Sequence, residues 1–462
     1  MFLQKRRRIL KLFKKILIAN RGEIAVRVIR ACRELGISTV AVYSDVDKEA
    51  VHVKMADEAV CIGPADVSLS YLNMPVILSA AEITDAEAIH PGYGFLSENV
   101  QFAETCRSSG ITFIGPSPDN IRIGGDKAKA RQLLKRKSVP VIPGSSGVLK
   151  NEKEARKTAK KVGYPIILKA SSGGGGRGMR IVESELEMEK SFATAQRESL
   201  TAFGSNELYI EKYLSSVRHI EVQIMADNNG NVIHLGERDC TIQRRHQKLI
   251  EESPSPFITN KLRKKLGEYA IKTARAIGYR NVGTVEFVVN DDSIYFIEIN
   301  TRVQVEHPVT EMVTGIDIIN EQIKLAAGLP LEYRQNDITV TGHAIECRIN
   351  AEDPKTFIPS PGKIDFFYQP GGAGIRIDTA AYSGWEVPPQ YDSLVAKVIV
   401  QAAKRDEAIR HMLLALDEFM IEGIKTTIPF HKKVLRDKRF LEGDFDTHFC
   451  DSMNSRDYIR PG

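Results

Sequence analysis

Between residues 15 and 124 short apolar runs alternate with amphipathic stretches, and a chain with that pattern has few ways to fold. Ile16 to Ala19 reads as a strand and Glu23 to Leu35 as a helix, with Ile24, Val28, Cys32 and Leu35 on one face. Gly36 ends the helix, and Thr39 to Tyr43 returns as a second strand. This is a β-α-β unit within about 30 residues. The alternation continues through Ala59 to Ile62, Pro75 to Ala81, Ala88 to His90, Glu98 to Ser109 and Ile111 to Ile114. Strands joined in this way require a doubly wound parallel sheet with helices on both faces.

The pattern changes near Asp126. Helical runs at Lys127 to Lys137 and 152 to 162 precede a strand at Ile166 to Ala170, a glycine loop and a strand at Met179 to Val182. From Leu208 to Asn300 the chain reads as antiparallel β-hairpins. Val222 to Met225 and Val232 to Leu235 flank the turn at Asp227 to Gly230, and Thr284 to Val289 and Ile294 to Ile299 flank Asp291 and Asp292. Beyond Thr341 come short strands, Pro/Gly turns and one long helix, Arg405 to Phe419. The expected division is a basic extension at 1–14, then regions 15–125, 126–335 and a mixed α+β region 336–455. With 462 residues, a prior of about 150 residues per domain gives the same three.

The net charge of +5 does not make this a nucleic-acid-binding surface. Seven of the 64 Lys and Arg residues lie in the first fifteen positions, leaving 57 against 59 acidic residues in the body. That first segment mixes Phe2, Leu3, Ile9 and Leu10 with its bases. A solvated basic extension fits it better than a membrane-touching amphipathic helix, and no apolar core of roughly 7 to 15 residues marks a signal peptide. No run approaches the roughly 18 apolar residues of a membrane span. Six cysteines, none in a C-x-x-C pair, are expected to be reduced, buried thiols of a cytoplasmic protein.

Two stretches carry chemistry. Residues 169 to 180 place Gly173, Gly174, Gly175 and Gly176 between Lys169 and Arg177. Four successive glycines cost about 0.5 to 1 kcal/mol each relative to alanine, so a ligand that needs close backbone approach is the expected reason, and flanking cations point to phosphate. The loop is neither a Walker A nor a Rossmann loop, because no Gly-Lys-Ser/Thr follows and a strand comes next. In the second stretch, Glu298 to Glu306, the polar residues Glu298, Asn300, Arg302, Gln304 and Glu306 alternate with apolar ones or Thr301. The wet side of a strand would look the same. Glu298 and Asn300 nevertheless suit oxygen coordination of Mg²⁺, and Glu286 on the preceding hairpin strand can add a second carboxylate. Fully extended, Glu298 and Glu306 would lie about 26 Å apart, so one compact site requires a bend near Thr301 and Arg302.

The glycine loop with Lys169 and the acidic hairpin ending Glu298-Ile299-Asn300-Thr301-Arg302 resemble the ATP-grasp enzymes. Longer strings narrow the resemblance: Ala19-Asn20-Arg21-Gly22-Glu23-Ile24-Ala25, His90-Pro91-Gly92-Tyr93-Gly94-Phe95-Leu96-Ser97-Glu98-Asn99, Glu237-Arg238-Asp239-Cys240, Gln243 to Lys248, Gln304 to Glu311 and Glu346 to Pro354. Together they are similar to biotin carboxylase over about residues 15 to 450. The resemblance implies a pre-ATP-grasp N-terminal sheet, a central ATP-grasp unit with a mobile lid at about 141–214, and a C-terminal biotin carboxylase region.

It also implies an activity: MgATP activates bicarbonate as carboxyphosphate, and N1′ of biotin on a carrier protein is then carboxylated. By resemblance Lys127, Lys169 and Gly173 to Gly176 hold ATP phosphates, while Glu211, Lys212, Leu214, His219, Gln243 and His246 surround the rest of the nucleotide. Glu286, Glu298 and Asn300 hold Mg²⁺ or Mn²⁺. Bicarbonate is expected between Lys248, Arg302, Gln304 and the Val305 backbone, with Glu306 as general base. Arg348 is expected on the biotin enolate oxygen, and Tyr93 and Asp392 beside biotin.

One departure from the family pattern is Gly124 before Gly125-Asp126-Lys127, expected to loosen that turn. The chain has no Met-Lys-Met biotinylation string, and its nearest, Val53-Lys54-Met55, lies in the first region. A biotin carboxyl carrier protein and carboxyltransferase subunits are therefore expected as separate partners, with a homodimer as the usual assembly. Acetyl-CoA is the expected final acceptor, with pyruvate or propionyl-CoA as alternatives. The competing readings are another ATP-grasp ligase, for instance one forming carbamoyl phosphate, and a non-catalytic regulatory or membrane-recruiting relative.

Overall fold

The computed structural model describes residues 12–171 and 179–457, with side chains to 453. The sequence readings on the basic extension through residue 11 and on Gly173, Gly174, Gly175 and Gly176 lie outside the described residues.

The first sheet has five parallel strands in the order Glu58–Gly63, Ser38–Ser44, Lys15–Ile18, Ala88–His90, Thr112–Phe113. The winding reverses between the third and fourth of these, and doubly wound sheets bind ligands outside the carboxyl ends of such a pair. Two of the strings that carry the resemblance, Asn20 to Glu23 and His90 to Phe95, leave the sheet at that point. Asn20 Nδ2 ties the two together, donating to the carbonyls of Pro91 at 2.7 Å and Tyr93 at 2.8 Å. Gly92 is required there: its φ is +61°, and a Cβ would meet Asn20 Nδ2 at 2.8 Å.

The second sheet has eight strands, in the order Ser293–Asn300, Asn281–Asn290, Arg218–Ala226, Val232–Arg244, Gln247–Ser253, His343–Asn350, Leu394–Ala402, Ile375–Thr379. All seven neighbouring pairs are antiparallel. The sheet is continuous because Gln247–Ser253 pairs with His343–Asn350, so one surface carries residues from both the central and the C-terminal regions. Its apolar side chains join those of the first sheet: Ile16 and Ile18 share a core with Met225, Leu235 and Val282.

A smaller unit stands apart. The strands Arg180–Val182, Ile166–Ala170 and Leu208–Lys212 form a three-stranded sheet. With the helices Glu152–Val162 and Met188–Phe203 they bury their own cluster, including Ala155, Leu168, Met188 and Phe192. A unit with its own core can move as a body.

Three sequence readings need correction. The stretch 208–300, read as hairpins, contains the 17-residue helix Asn260–Ala276. Its signal is Leu262, Leu266, Ala270 and Ala274 at four-residue spacing, with Thr259 Oγ1 accepting from the Leu262 N–H at its start. The cysteines are all free, but only five are buried; Cys61 is exposed, because Glu58–Gly63 is an edge strand whose outer face meets solvent. Gly124 lies in the last turn of the helix Pro118–Gly125, which is packed and not loose: a Cβ there would meet Thr301 Cγ2 at 2.7 Å and the Ile299 carbonyl oxygen at 3.3 Å. Among the described residues no helix is long and apolar enough to cross a membrane.

Candidate active site

A cleft of about 1270 Å³ opens where the switch point of the first sheet, one face of the second and the small unit meet. Every expected site residue within the described residues lines it, from Tyr93 and Lys127 through Lys169, Glu211, Lys212, Leu214, His219, Gln243, His246, Lys248, Glu286, Glu298, Asn300, Arg302, Gln304, Val305 and Glu306 to Arg348 and Asp392.

The strand Ser293–Asn300 ends where the bend was required. Glu286 and Glu298 are direct partners across the hairpin, and after Asn300 the chain leaves the sheet, turns through residues 301–306 and enters the helix His307–Thr314. Glu98 fixes the turn, accepting from Thr301 N at 2.9 Å, Thr301 Oγ1 at 3.1 Å and Arg302 Nε at 3.0 Å. Arg302 reaches Gln304 Oε1 at 3.0 Å, and Asn300 Nδ2 and Gln304 Nε2 both point at Glu286 Oε1, at 2.7 and 3.2 Å. The polar groups thus converge, as a straight strand could not have made them do.

At the centre lies Lys248. Its ammonium is 2.6 Å from Glu221, 3.0 Å from Glu286 and 2.6 Å from Glu306. Burial opposes its charge, but the three carboxylates outweigh that and hold its pKa well above the usual lysine value. Glu306 accepts on its other oxygen from Arg348 at 2.9 Å, and Arg348 Nε donates to Glu251 at 2.6 Å. Burial pushes Glu306 up, yet the Lys248, Arg348 and Arg238 cations prevail and hold it well below the ordinary carboxylate range. Glu251 is the opposite case: burial dominates and lifts it to about 7.

At the opposite end Lys127 pairs with Glu298 at 2.5 Å, and Lys169 pairs with Glu211 at 2.5 Å. Glu211 also binds Arg131. Burial and the nearby charges of Lys127 and Arg131 pull Lys169 down to about 7. Lys212 turns its ammonium away from the cleft centre, donating to the carbonyls of Gly163 at 3.0 Å and Tyr164 at 2.9 Å. His219 Nε2 lies 2.7 Å from Glu286, so it is no free surface histidine. His246 sits with Arg245 in a two-residue hairpin turn, both at positive φ (65° and 49°), which projects the imidazole over the cleft rim. Arg244 stacks on Phe357 instead of facing a ligand.

The donor set Glu286, Glu298 and Asn300 is oxygen-only and spans two paired strands, which fits a hard divalent cation. Both carboxylates are already paired with lysines, so a cation would compete with Lys127 and Lys248 for the same oxygens.

Several residues in or directly behind the cleft wall were not read from the sequence. Glu221 and Gln223 follow His219 at two-residue spacing, the same signal that revealed the Glu298 stretch. The fully buried Arg238 anchors that row, donating to Glu221 at 2.5 Å, Gln223 at 2.8 Å and Thr284 at 3.1 Å. Glu98 and Glu251 lie in strings already noted or adjoining them, but nothing local distinguishes them from surface acids.

Family models match in three consecutive pieces: biotin carboxylase, N-terminal domain at 12–121, the carbamoyl-phosphate synthase L chain ATP binding domain at 126–334, and biotin carboxylase C-terminal domain at 346–452. Biotin carboxylase 1 of Bacillus subtilis is 56% identical over 446 residues, covering 96% of this chain and 99% of that protein. One of the pyruvate carboxylase subunits of Methanothermobacter thermautotrophicus is 53% identical over 441 residues, covering 95% and 90%. Among solved structures, the biotin carboxylase domain dimer of Hydrogenobacter thermophilus 2-oxoglutarate carboxylase, in complex with MgADP, ADP and bicarbonate, superposes with a TM-score of 0.93 at 51% identity, covering 98% and 100%.

Proposed function

Given that this chain belongs to the biotin carboxylase family, we propose that it uses MgATP and bicarbonate to carboxylate biotin on a separate carrier protein, as the first half-reaction of acetyl-CoA carboxylase. The observation that carries the mechanism is Glu306 held between Lys248 and Arg348, beside the paired Glu286 and Glu298.

Bicarbonate and the ATP γ-phosphate are both anions and need cations to approach each other. Lys127 and Lys169 supply charge to the phosphates. Lys248, Arg302, Gln304 and the Val305 backbone receive bicarbonate. A divalent cation held by Glu286, Glu298 and Asn300 would neutralise charge on the transferred phosphoryl group. As bicarbonate engages Lys248, the grip of that cation on Glu306 weakens, and the carboxylate regains the basicity to take the bicarbonate proton. The bicarbonate oxygen then takes the phosphoryl group, giving carboxyphosphate and ADP. Arg348 remains charged throughout and suits the enolate oxygen of biotin, with Tyr93 and Asp392 lining that end of the cleft.

We take the small unit at about 141–214 as a lid that closes over ATP, because Lys169 and Glu211 come from its strands. A homodimer with separate carboxyltransferase subunits in the cytoplasm completes the proposed assembly. The alternative final acceptor is a 2-oxo acid: one relative above belongs to a pyruvate carboxylase, and another to a 2-oxoglutarate carboxylase. The competing ATP-grasp ligase shares only the central region; the flanking matches to 12–121 and 346–452 favour biotin. ATP hydrolysis with bicarbonate, with and without free biotin, tests the reading. Stimulation by biotin supports it, and turnover indifferent to biotin contradicts it.

A further inference from the structure

Lys397 is a fully buried lysine in the middle of the apolar strand Leu394–Ala402, and the reaction outlined above does not use it. A buried ammonium is costly unless fully partnered. Its register partners are Arg348 on one side and Asp378 on the other, so it stands directly opposite the arginine expected at biotin. Its head leaves the sheet. Nζ donates to the Val305 carbonyl at 2.9 Å and lies 3.2 Å from Glu23 Oε2 and 3.7 Å from Asp378.

Both main contacts lead into the cleft. The Val305 carbonyl belongs to the peptide that joins Val305 to Glu306, the backbone expected at bicarbonate and the proposed base. Glu23 opens the helix Gly22–Glu34 at the switch point of the first sheet, and its other oxygen accepts the hydroxyl of Tyr93. One ammonium from the C-terminal region therefore touches the central region at the bicarbonate end and the N-terminal region at the biotin end.

We propose that Lys397 is a positioning residue that holds the Val305–Glu306 peptide and, through Glu23, the Tyr93 hydroxyl in one fixed relation, so that the carboxyphosphate and biotin ends of the cleft are aligned by a single group. The inference rests on the biotin carboxylase reading. A purely structural lysine would lower stability or overall activity without distinguishing among substrates. A positioning lysine shifts the constants of the two substrates whose sites it sets and spares the third, because the nucleotide end of the cleft lies beyond its contacts.

The test is steady-state kinetics of the full chain, wild type first, with MgATP, bicarbonate and free biotin varied in turn. In Lys397→Met the MgATP KM stays within about twofold, the bicarbonate KM rises, and kcat/KM for biotin falls by about 10- to 100-fold, the scale of a displacement on the order of 1 Å. Glu23→Gln keeps an acceptor for Tyr93 and removes the charge that binds Lys397. It moves the same two constants by less, and the double variant is no worse than Lys397→Met alone. A folded Lys397→Met with wild-type bicarbonate and biotin constants overturns the proposal, as do losses that multiply in the double variant. If Lys397→Met does not fold, Glu23→Gln decides: an unchanged bicarbonate KM overturns the link and a raised one supports it. A wild-type chain that ignores biotin overturns the function reading and this inference with it, whereas a responsive wild type with unaffected variants overturns the inference alone.

Discussion

Glu306 divides its oxygens between two cations: Oε1 lies 2.6 Å from Lys248 Nζ, and Oε2 accepts from Arg348 at 2.9 Å. One carboxylate thus touches the group proposed to seat bicarbonate and the group proposed to stabilise the biotin enolate. The two half-steps are separable by mutation. Glu306→Gln retains ATP binding and loses bicarbonate-dependent turnover by about 100-fold or more, the scale of a missing general base. Arg348→Ala keeps slow bicarbonate-dependent ATP hydrolysis and loses carboxylation of biotin. Phosphate release and carboxybiotin formation, measured on the same samples, check both, and equal loss of the two in Arg348→Ala would mean that the arginine acts earlier.

Lys169 makes ATP binding a protonation event. Burial and the Lys127 and Arg131 charges pull its pKa down to about 7, against the Glu211 carboxylate 2.5 Å away, so part of it is neutral at pH 8. Phosphate oxygens favour the charged form and raise that pKa, so ATP binding at pH 8 takes up a proton. Calorimetric titration in buffers of different ionisation enthalpy reads the uptake directly. It is expected in the wild type and absent in Lys169→Met.

Gly124 has no room for a side chain. Thr301 is held by Glu98 through both its N–H and its hydroxyl, so its methyl cannot move aside. Gly124→Ala gains up to about 1 kcal/mol of helix propensity and loses about 1 to 3 kcal/mol to overpacking. The expected net result is a lower denaturation midpoint with an unchanged slope, and a variant as stable as the wild type would show that the Thr301 turn yields.

His52 is buried beneath the first sheet, with Nε2 3.3 Å from the Val42 carbonyl. Burial lowers its pKa to about 4 from 6.5. A group whose folded pKa is depressed in this way contributes stability in full above the unfolded value, and that contribution is lost as pH falls from 6.5 toward 4. The slope is about 1.4 kcal/mol per pH unit between those values. The stability difference between wild type and His52→Gln therefore moves against the wild type as pH drops from 7 to 5. Unfolding curves at several pH values check this, and a pH-independent difference would contradict it.

What could be read from the sequence was what repeats locally. The alternation of Ile16 to Tyr43 led to the parallel sheet, and the alternation from Glu298, with Glu286 one strand earlier, led to the paired carboxylates and the bend that brings Arg302 and Gln304 beside them. Glu221 carries the same two-residue signal after His219 and was legible by the same rule. The helix Asn260–Ala276 had both its spacing and its Thr259 cap in view. Pairing of Gln247–Ser253 with His343–Asn350 was not legible, because nothing within either strand names a partner some 90 residues away. Lys397 shows the limit most clearly. In an apolar run it reads as one polar interruption of a core strand, and its meaning comes from Glu23 and Val305, which only the fold brings to it.

Transfer of labelled carbon from bicarbonate to biotin by the purified chain with MgATP decides whether this chain is a biotin carboxylase in function as well as in family. Carboxybiotin is expected to form in proportion to ADP and phosphate, with no label transfer when ATP or the divalent cation is withheld. ADP and phosphate released at an undiminished rate with no label on biotin would contradict it, leaving an ATP-grasp enzyme whose acceptor is something else.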